Sequence, residues 1–525
     1  MNSLELSSLS DEDLSSLNLD SKVFGVIGVC GVVGNLVARI LMDNGFTVIG
    51  TDMSREEDCT FKSSFEGYDI EIFYGGHPEE FFSKVDYIIP PPSLPKKAKV
   101  FDIIHEKNIP ILNLGDIFKL FKPNKSVICI TGTNGKTTTT TLLKHVAYYS
   151  GLKPSEHNLK GMQGNNEFIP SLQSRLNGDV AILETGTDGT PGGLNSIVKL
   201  TNATSGILTN ITPDHLSNHA SLLDYAKVKG ELVEGLKGKQ LIVNSDDPTI
   251  MGLLRELNYN GDLITFGLDE KPAKIGYKPC WCGKDIEIQE IISGVGKYNC
   301  NCGIDYQTPD YIAKDISLHD KTFVVSGPDG DYPIQMAIEG LHNVYNCLGV
   351  IVAARKFLNL PYDVIQEAIS TFKGVPGRME IMGSVEGKTV MVDYAHNPAG
   401  VETVLRELNK IYGDFAVVIT VSSESGHDGD VEIFNDALKY AKFIVPASYS
   451  ARIVADEFIK EDSSLLDTIV LTDDIPEEFR KRTLGATKEE VYEGIKTGLK
   501  TNVNTIVVIG EAAIKFKSII NDFKK

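Results

Sequence analysis

The run Ile130-Thr131-Gly132-Thr133-Asn134-Gly135-Lys136-Thr137-Thr138 constrains this chain more than any other feature. The apolar segment Ser126-Val127-Ile128-Cys129-Ile130 leads into it and reads as a buried strand. Residues 139–150 follow, with Leu142, Leu143, Val146 and Ala147 at helical spacing. A strand, a glycine turn, Lys-Thr and a helix together make a phosphate cradle, because the N–H groups of the turn and of the helix N-terminus point at an anion. Lys136 would add a charge at the β- and γ-phosphates, and Thr137 a hydroxyl for Mg²⁺. Gly132, Thr133, Asn134, Gly135, Lys136, Thr137 and Thr138 are therefore expected to hold ATP. The general motif places a glycine six residues before the lysine, where this chain has Ile130. A threonine-rich helix cap is the bland alternative. The coincidence of Gly, Gly, Lys and Thr after a strand favours the nucleotide.

A length of 525 residues allows about three domains, each able to bury its own core. The net charge of −20 argues against a general nucleic-acid surface. The most apolar early window, 24–42, holds four glycines, Asn35 and Arg39, which suits strand–turn–helix better than a membrane span. The first twenty residues carry acids and serines rather than a basic n-region and an apolar core, so a cytoplasmic protein is expected. In that compartment, eight cysteines favour metal ligation or buried thiols over disulfides.

Residues 1–20 read as a polar tail or a short appended helix. A βαβ unit follows, with strands at 22–29 and 46–50 and the turn Gly28-Val29-Cys30-Gly31-Val32-Val33-Gly34. Asp52 lies eighteen residues beyond Gly34, near where a ribose-binding acid is expected, so Gly28, Gly31, Gly34 and Asp52 are candidate substrate contacts. Tight helix–strand packing explains the glycines nearly as well. Further strands are expected at 85–89 and 109–114, then a linker at Lys122-Pro123-Asn124. From 125 the strand–helix alternation restarts. The strand 179–183 delivers Glu184 at its C-terminal end, where open α/β sheets bind ligands. The strand 205–208 runs into Thr209-Asn210-Ile211-Thr212-Pro213-Asp214-His215, and a helix from Ser221 carries Lys227 and Lys229. Residues 275–335 read as a β-rich insertion with Cys280-Trp281-Cys282 and Cys300-Asn301-Cys302. A hinge is expected at 372–378 before a last α/β unit with strands at 389–392, 415–421 and 505–509.

Seven pieces in order resemble the Mur ligase superfamily of ATP-dependent peptide ligases. They are Thr131 to Thr138, Glu184-Thr185, Asn210 to Leu216, Tyr225 to Lys229, Leu341-His342-Asn343-Val344-Tyr345-Asn346, Val375-Pro376-Gly377-Arg378-Met379-Glu380 and Asp393-Tyr394-Ala395-His396-Asn397-Pro398. The resemblance covers nearly the whole chain. It implies an α/β protein of three domains: a Rossmann-like unit at 21–123 for a UDP-linked substrate, a central P-loop unit at 124–376 and a C-terminal α/β unit at 377–525 for the amino acid. The first domain is similar to that of MurC and MurD, and the cysteine insertion to that of MurT. The combination resembles archaeal ligases proposed to assemble pseudomurein peptides.

The resemblance also implies the chemistry: ATP phosphorylates a carboxylate, and an amine displaces phosphate from the acyl phosphate. Lys136 would hold the phosphates, and Thr137 and Glu184 a Mg²⁺. His215 would serve a second Mg²⁺, and Lys229, carbamylated in many relatives, would support metal. Asn343 and Asn346, three apart on one helical face, resemble adenine-side residues, although Asn343 could instead cap its helix. Arg378 resembles the arginine that reaches the γ-phosphate on closure, and Asp393 a ribose or hinge contact. His396 and Asn397 extend that motif toward the substrate. The expected partners are a UDP-linked peptide precursor and a free amino acid. Alternatives are a ligase for a cofactor carboxylate, or an ATPase subunit of an amidotransferase complex.

Cys280, Cys282, Cys300 and Cys302 form two pairs, each followed by glycine, and are expected to bind one structural Zn²⁺. Their C-x-C spacing is one residue shorter than the usual knuckle.

Overall fold

The protein is described from a computed structural model covering residues 9–159, 162, 168–186, 191–212, 221–292, 294–472 and 485–524. Its strands gather into three α/β sheets and one small antiparallel sheet.

The first sheet is parallel. It comprises β1 (Val23–Ile27), β2 (Thr47–Thr51), β3 (Glu71–Phe73) and β4 (Tyr87–Ile89) in the order β3-β2-β1-β4. The helix Val32–Asp43 crosses from β1 to β2 and buries Leu36, Val37, Ile40 and Leu41. Its entry is tight: a Cβ on Gly34 would lie 2.2 Å from the Gly28 carbonyl oxygen, and Gly28 itself has φ +76°. Two expectations fail in this unit. Residues 109–114 form no strand but a single bridge from Ile111 to Ile88. Pro110 has no N–H to extend the ladder, and Asn113 already opens the capping box of the helix Leu114–Leu120. Two cysteines are also disulfide-bonded rather than free. The turn after β1 and the segment after Glu56–Asp58 pack together and bring Cys30 and Cys59 to a Cα separation of 5.0 Å, within bonding range.

The central unit begins with β5 (Ser126–Thr131), β6 (Val180–Glu184), β7 (Ser205–Leu208), β8 (Gln240–Asn244) and β9 (Asp262–Leu268), all parallel. The chain then leaves the sheet for an antiparallel meander of β10 (Lys274–Pro279), β11 (Asp285–Ile292) and β12 (Val295–Asn299), which carries the cysteines. It returns as β13 (Tyr311–Ser317), β14 (Thr322–Gly327) and β15 (Gly330–Gln335), giving an eight-stranded sheet ordered β15-β14-β13-β9-β8-β7-β5-β6. The separate insertion is thus smaller than 275–335. Tyr311 pairs with Phe266, and Tyr311, Ala313, Phe323, Val325 and Ile334 alternate into the main core.

The third sheet contains β16 (Glu380–Val385), β17 (Lys388–Asp393), β18 (Ala416–Ile419), β19 (Phe443–Pro446) and β20 (Thr505–Ile509) in the order β16-β17-β20-β18-β19. No helix among the described residues is long and apolar enough to cross a membrane.

Candidate active site

The C-terminal ends of β5, β6 and β7 converge, as ligand sites in open parallel sheets require. Thr131 ends β5, and the glycine turn follows. Gly132 has φ +150°, and a Cβ there would lie 2.0 Å from the Thr209 hydroxyl. Gly135 has φ +82°, and a Cβ there would lie 2.4 Å from Asn346 Oδ1. Only glycine fits either position. The loop after β7 clamps the turn: Thr133 N donates to the Asn210 carbonyl at 2.8 Å, and Asn134 N to Asn210 Oδ1 at 2.9 Å. In return, the Thr209 hydroxyl and the Asn210 amide donate to the Asn134 carbonyl at 2.7 and 3.0 Å.

Lys136 opens the helix Lys136–Tyr149, and its Nζ folds back onto the carbonyls of Gly132 and Thr133 at 2.9 and 2.7 Å. Thr137 donates to Glu184 at the end of β6 at 3.1 Å. Thr137 and Glu184, far apart in sequence, therefore meet as oxygen donors beside the cradle. Thr138 is buried at the start of the same helix. On the helix Leu222–Gly235, Lys229 is 1% exposed with its Nζ 5.1 Å from the Tyr225 ring centre, and the Tyr225 hydroxyl lies 3.5 Å from Thr133 Oγ1. Lys227 points outward to Asp224. His215 lies outside the described residues.

A cavity of about 610 Å³ opens from the cradle and is walled by both the central and the third units. Asn343 and Asn346 line it from the helix Leu341–Lys356. Gly340 is the N-cap there, so Asn343 caps no N–H. It donates instead to the Glu339 carbonyl and accepts from Asn346 at 3.0 Å. His342 beside them is half-buried and lines the cavity, and desolvation pushes its imidazole down to about 4; its Nδ1 finds no partner.

From the third unit, Arg378 lies over the Tyr394 ring at 4.5 Å and faces the cavity. Asp393 ends β17, and its two oxygens accept from Met379 N and Ala395 N at 2.7 Å each, so it fastens the segment before β16 to the end of β17. Asn397 caps the helix Pro398–Tyr412 through its Oδ1 and donates to Asn134 Oδ1 at 3.3 Å, which joins the third unit to the cradle. His396 also lines the cavity.

In the first unit, Gly28, Gly31 and Gly34 form the turn after β1. Asp52 is buried there, accepting from Cys30 N at 2.9 Å and Ser54 N at 2.8 Å, and so holds that turn in shape. The four cysteines meet at one end of the meander, with Sγ separations of 3.2 Å (Cys300 to Cys302), 3.6 Å (Cys280 to Cys302 and Cys300) and 3.8 Å (Cys282 to Cys300). Two further features lie outside the expected site residues. Lys278 of β10 is a buried cation donating to the Ile211 carbonyl at 2.9 Å and to Asp247 at 3.0 Å. Glu424 and Glu511 stand behind His396.

A glycine cradle at the end of a parallel sheet, completed by a hinged α/β unit, defines a class of P-loop proteins whose nucleotide site lies between two domains. Comparison with known proteins narrows the class. Residues 130–354 match the Mur ligase middle domain, and residues 377–506 the Mur ligase glutamate ligase domain. The structure is similar to a pseudomurein peptide ligase type C from Methanothermus fervidus, with a TM-score of 0.83 and 36% identity, over 96% of this chain and 100% of that one. The UDP-N-acetylmuramate–L-alanine ligase of Dictyoglomus turgidum is 25% identical over 514 residues, 96% of this chain and 92% of the relative. The corresponding ligase of Thermotoga maritima shares the fold, with a TM-score of 0.56 at 18% identity over 96% of this chain and 99% of that one. The chain belongs to the Mur ligase family.

Proposed function

We propose that this protein joins a free amino acid to a carboxylate of a UDP-linked cell-wall peptide precursor, using ATP and an acyl-phosphate intermediate. The observation that carries this reading is the cradle at 132–138 closed over by the third unit through the Asn134–Asn397 contact. In this reading, residues 21–123 hold the nucleotide-linked acceptor around Gly28, Gly31, Gly34 and Asp52. Residues 124–376 hold ATP, and residues 377–525 bring the amino acid. The reaction takes place in the cytoplasm.

The acceptor carboxylate and the γ-phosphate are both anions, so catalysis consists of positioning and positive charge. Lys136 must exchange the Gly132 and Thr133 carbonyls for phosphate oxygens when ATP enters. Asn343 and Asn346 bound the cavity on the helix side, where the adenosine half would lie. Arg378 reaches the phosphates from the third unit, and the closed walls keep water from the acyl phosphate. The Thr137–Glu184 pair supplies hard oxygen donors suited to Mg²⁺, and the family resemblance gives His215 and Lys229 the supporting roles. When bound, Mg²⁺ neutralises charge on the phosphates.

The cysteine cluster fits Zn²⁺. Four sulfurs at the corners of a tetrahedron, about 2.3 Å from a metal, stand about 3.8 Å apart, and the observed separations of 3.2–3.8 Å approach that spacing. With all four positions filled by Cys280, Cys282, Cys300 and Cys302, the metal would be structural.

Phosphate release measured with a panel of amino acids and UDP-linked peptides tests the reading. Lys136→Ala should reduce turnover to background while the first unit still binds the UDP-linked acceptor. Normal turnover in that variant would sink the assignment of the cradle.

A further inference from the structure

The third unit meets the cysteine meander as well as the cradle, and a lysine stands at that junction. Lys274 opens β10. Its Nζ lies 3.6 Å from Glu290 Oε2 on the neighbouring β11, and 3.7 Å from Glu402 Oε1 on the third unit's helix Pro398–Tyr412. The ladder register sets Lys274 opposite Glu290. The two carboxylates are buried, with side chains 9% and 5% exposed, while that of Lys274 is 45% exposed. Both lie within reach of one ammonium, and so closer to each other than the ~8 Å screening length of physiological salt. They belong to different units.

Further charges surround the pair. Arg406 Nη1 donates to Glu402 Oε1 at 3.4 Å, and the Tyr440 hydroxyl donates to the same oxygen at 3.2 Å. On the helix Gly426–Tyr440, burial and then Glu402 raise the Asp436 carboxyl to about 6, with Glu432 adding to the rise and Lys274 and Lys439 opposing it. Arg406, Asp436, Lys439 and Tyr440 all belong to the third unit and travel with Glu402. Lys274 belongs to the meander, so its contact with Glu402 crosses from one unit to the other. Without its charge, the meander would present Glu290 to Glu402 and Asp436. Like charges repel more strongly in such a partly desolvated setting than in water.

We infer that Lys274 is a positioning residue of the ligase, whose ammonium draws the cysteine meander and the third unit together and so favours the closed arrangement over the cradle. The inference rests on the ligase reading, in which the third unit closes to keep water from the acyl phosphate. It gives the insertion a part in closure beyond carrying the cysteines. Those lie at the opposite end of the meander, since β10 runs from Lys274 toward Cys280, and Cys300 follows β12.

X-ray scattering of the full chain, titrated with the ATP analogue AMP-PNP in the presence of Mg²⁺, reads closure without turnover. Failure of the lysine contact is thereby told apart from failure of the ligase reading, which phosphate release tests. Lys274→Met removes the charge and keeps the stem, and Lys274→Arg keeps the charge. Lys297→Met makes the same change on β12, beside Asp269. Lys274 is half-exposed, so neither of its substitutions threatens the fold. The parent should become more compact as nucleotide binds. At pH 8 and low salt, Lys274→Met should raise the nucleotide concentration at half-compaction roughly fivefold, the upper end for a partly exposed pair, while the other two variants stay within about twofold of the parent. At pH 6 the Lys274→Met defect should shrink, because the acids left facing one another take up protons, Asp436 among the first. A loss of packing alone would not respond in this way. Any of five results overturns the inference: a parent whose dimensions ignore nucleotide, Lys274→Met closing at the parent's nucleotide concentration, Lys274→Arg failing as the Met variant does, Lys297→Met shifting closure as much, or a defect undiminished at pH 6.

Discussion

Replacing Lys278 by Met should loosen the nucleotide site from a distance, because this lysine reaches out of the cysteine meander into the central unit. Its side chain is 5% exposed and that of Asp247 is 0% exposed, with 3.0 Å between Nζ and Oδ1. At an effective dielectric constant of about 20, the direct attraction at that separation is about 5 kcal/mol before desolvation is subtracted. Methionine keeps the stem and its packing but removes the charge. Asp247 would retain its bonds from Ile211 N at 2.7 Å and Thr249 N at 3.0 Å, so its charge is not wholly abandoned. The Ile211 carbonyl would lose its charged donor. These offsets put the cost near the low end of the usual range for breaking a buried pair, about 3 kcal/mol. Hydrogen exchange of peptides spanning 205–212 and 240–256 reads that cost locally, and exchange should accelerate roughly 100-fold. A double-mutant cycle with Asp247→Asn should give a coupling of about 2 kcal/mol. Phosphate release should fall as well, since Ile211 and Thr212 belong to the loop that clamps Thr133 and Asn134. Exchange rates within threefold of the parent, with a coupling below about 0.5 kcal/mol, would refute the argument.

Metal analysis of protein purified without chelator should find about one zinc per chain, and Cys300→Ser should lose it and loosen the meander while ADP binding changes little; four freely reactive thiols and no zinc would count against the site. His342 gives a pH dependence whose sign follows from its desolvation. Its folded value of about 4 lies below the ordinary 6.5, so the unfolded chain binds the extra proton between those values, and stability present above 6.5 is lost as pH falls toward 4. At pH 5 the loss is about 2 kcal/mol. His157 is lowered to about 4 in the same way, so His342→Gln should remove only part of the drop in thermal midpoint between pH 7 and 5; an unchanged slope would contradict the assignment.

What the sequence made legible was local. The cradle, Glu184 at a strand end and the paired asparagines on one helix announce themselves within a few residues; the structure places the cradle and the asparagines around one cavity, with Glu184 bonded to Thr137 beside it. Even one failed strand was readable, since Pro110 forbids the ladder that 109–114 would need. The insertion was overdrawn because alternating apolar residues look the same in a free meander and in strands that extend the main sheet. The remaining surprises are contacts between residues remote in sequence. Lys278 and Asp247 are separated by 31 positions, and Cys30 meets Cys59 across 29. A charged residue at 278, in a strand whose other residues are exposed or half-buried, carries no mark that it turns inward, because only the tertiary approach of Asp247 makes its burial affordable.

Asn134 shows how these pieces act as one site. Its backbone N–H and carbonyl are both taken by Asn210, its carbonyl also by Thr209, and its side chain by Thr212 at 3.3 Å and Asn397 at 3.3 Å. One residue of the cradle therefore touches the loop toward His215 and the first capping residue of the third unit. The next residue, Gly135, is held against Asn346 on the helix that walls the cavity. Lys136, one position further, has its charge turned onto the cradle's own carbonyls. Phosphate entering the cradle must draw Lys136 away from Gly132 and Thr133, and Asn134 lies between those carbonyls and the contact with Asn397. The cradle and the third unit thus meet at the Asn134–Asn397 contact. In the proposed reading, nucleotide binding and domain closure would be coupled through that contact.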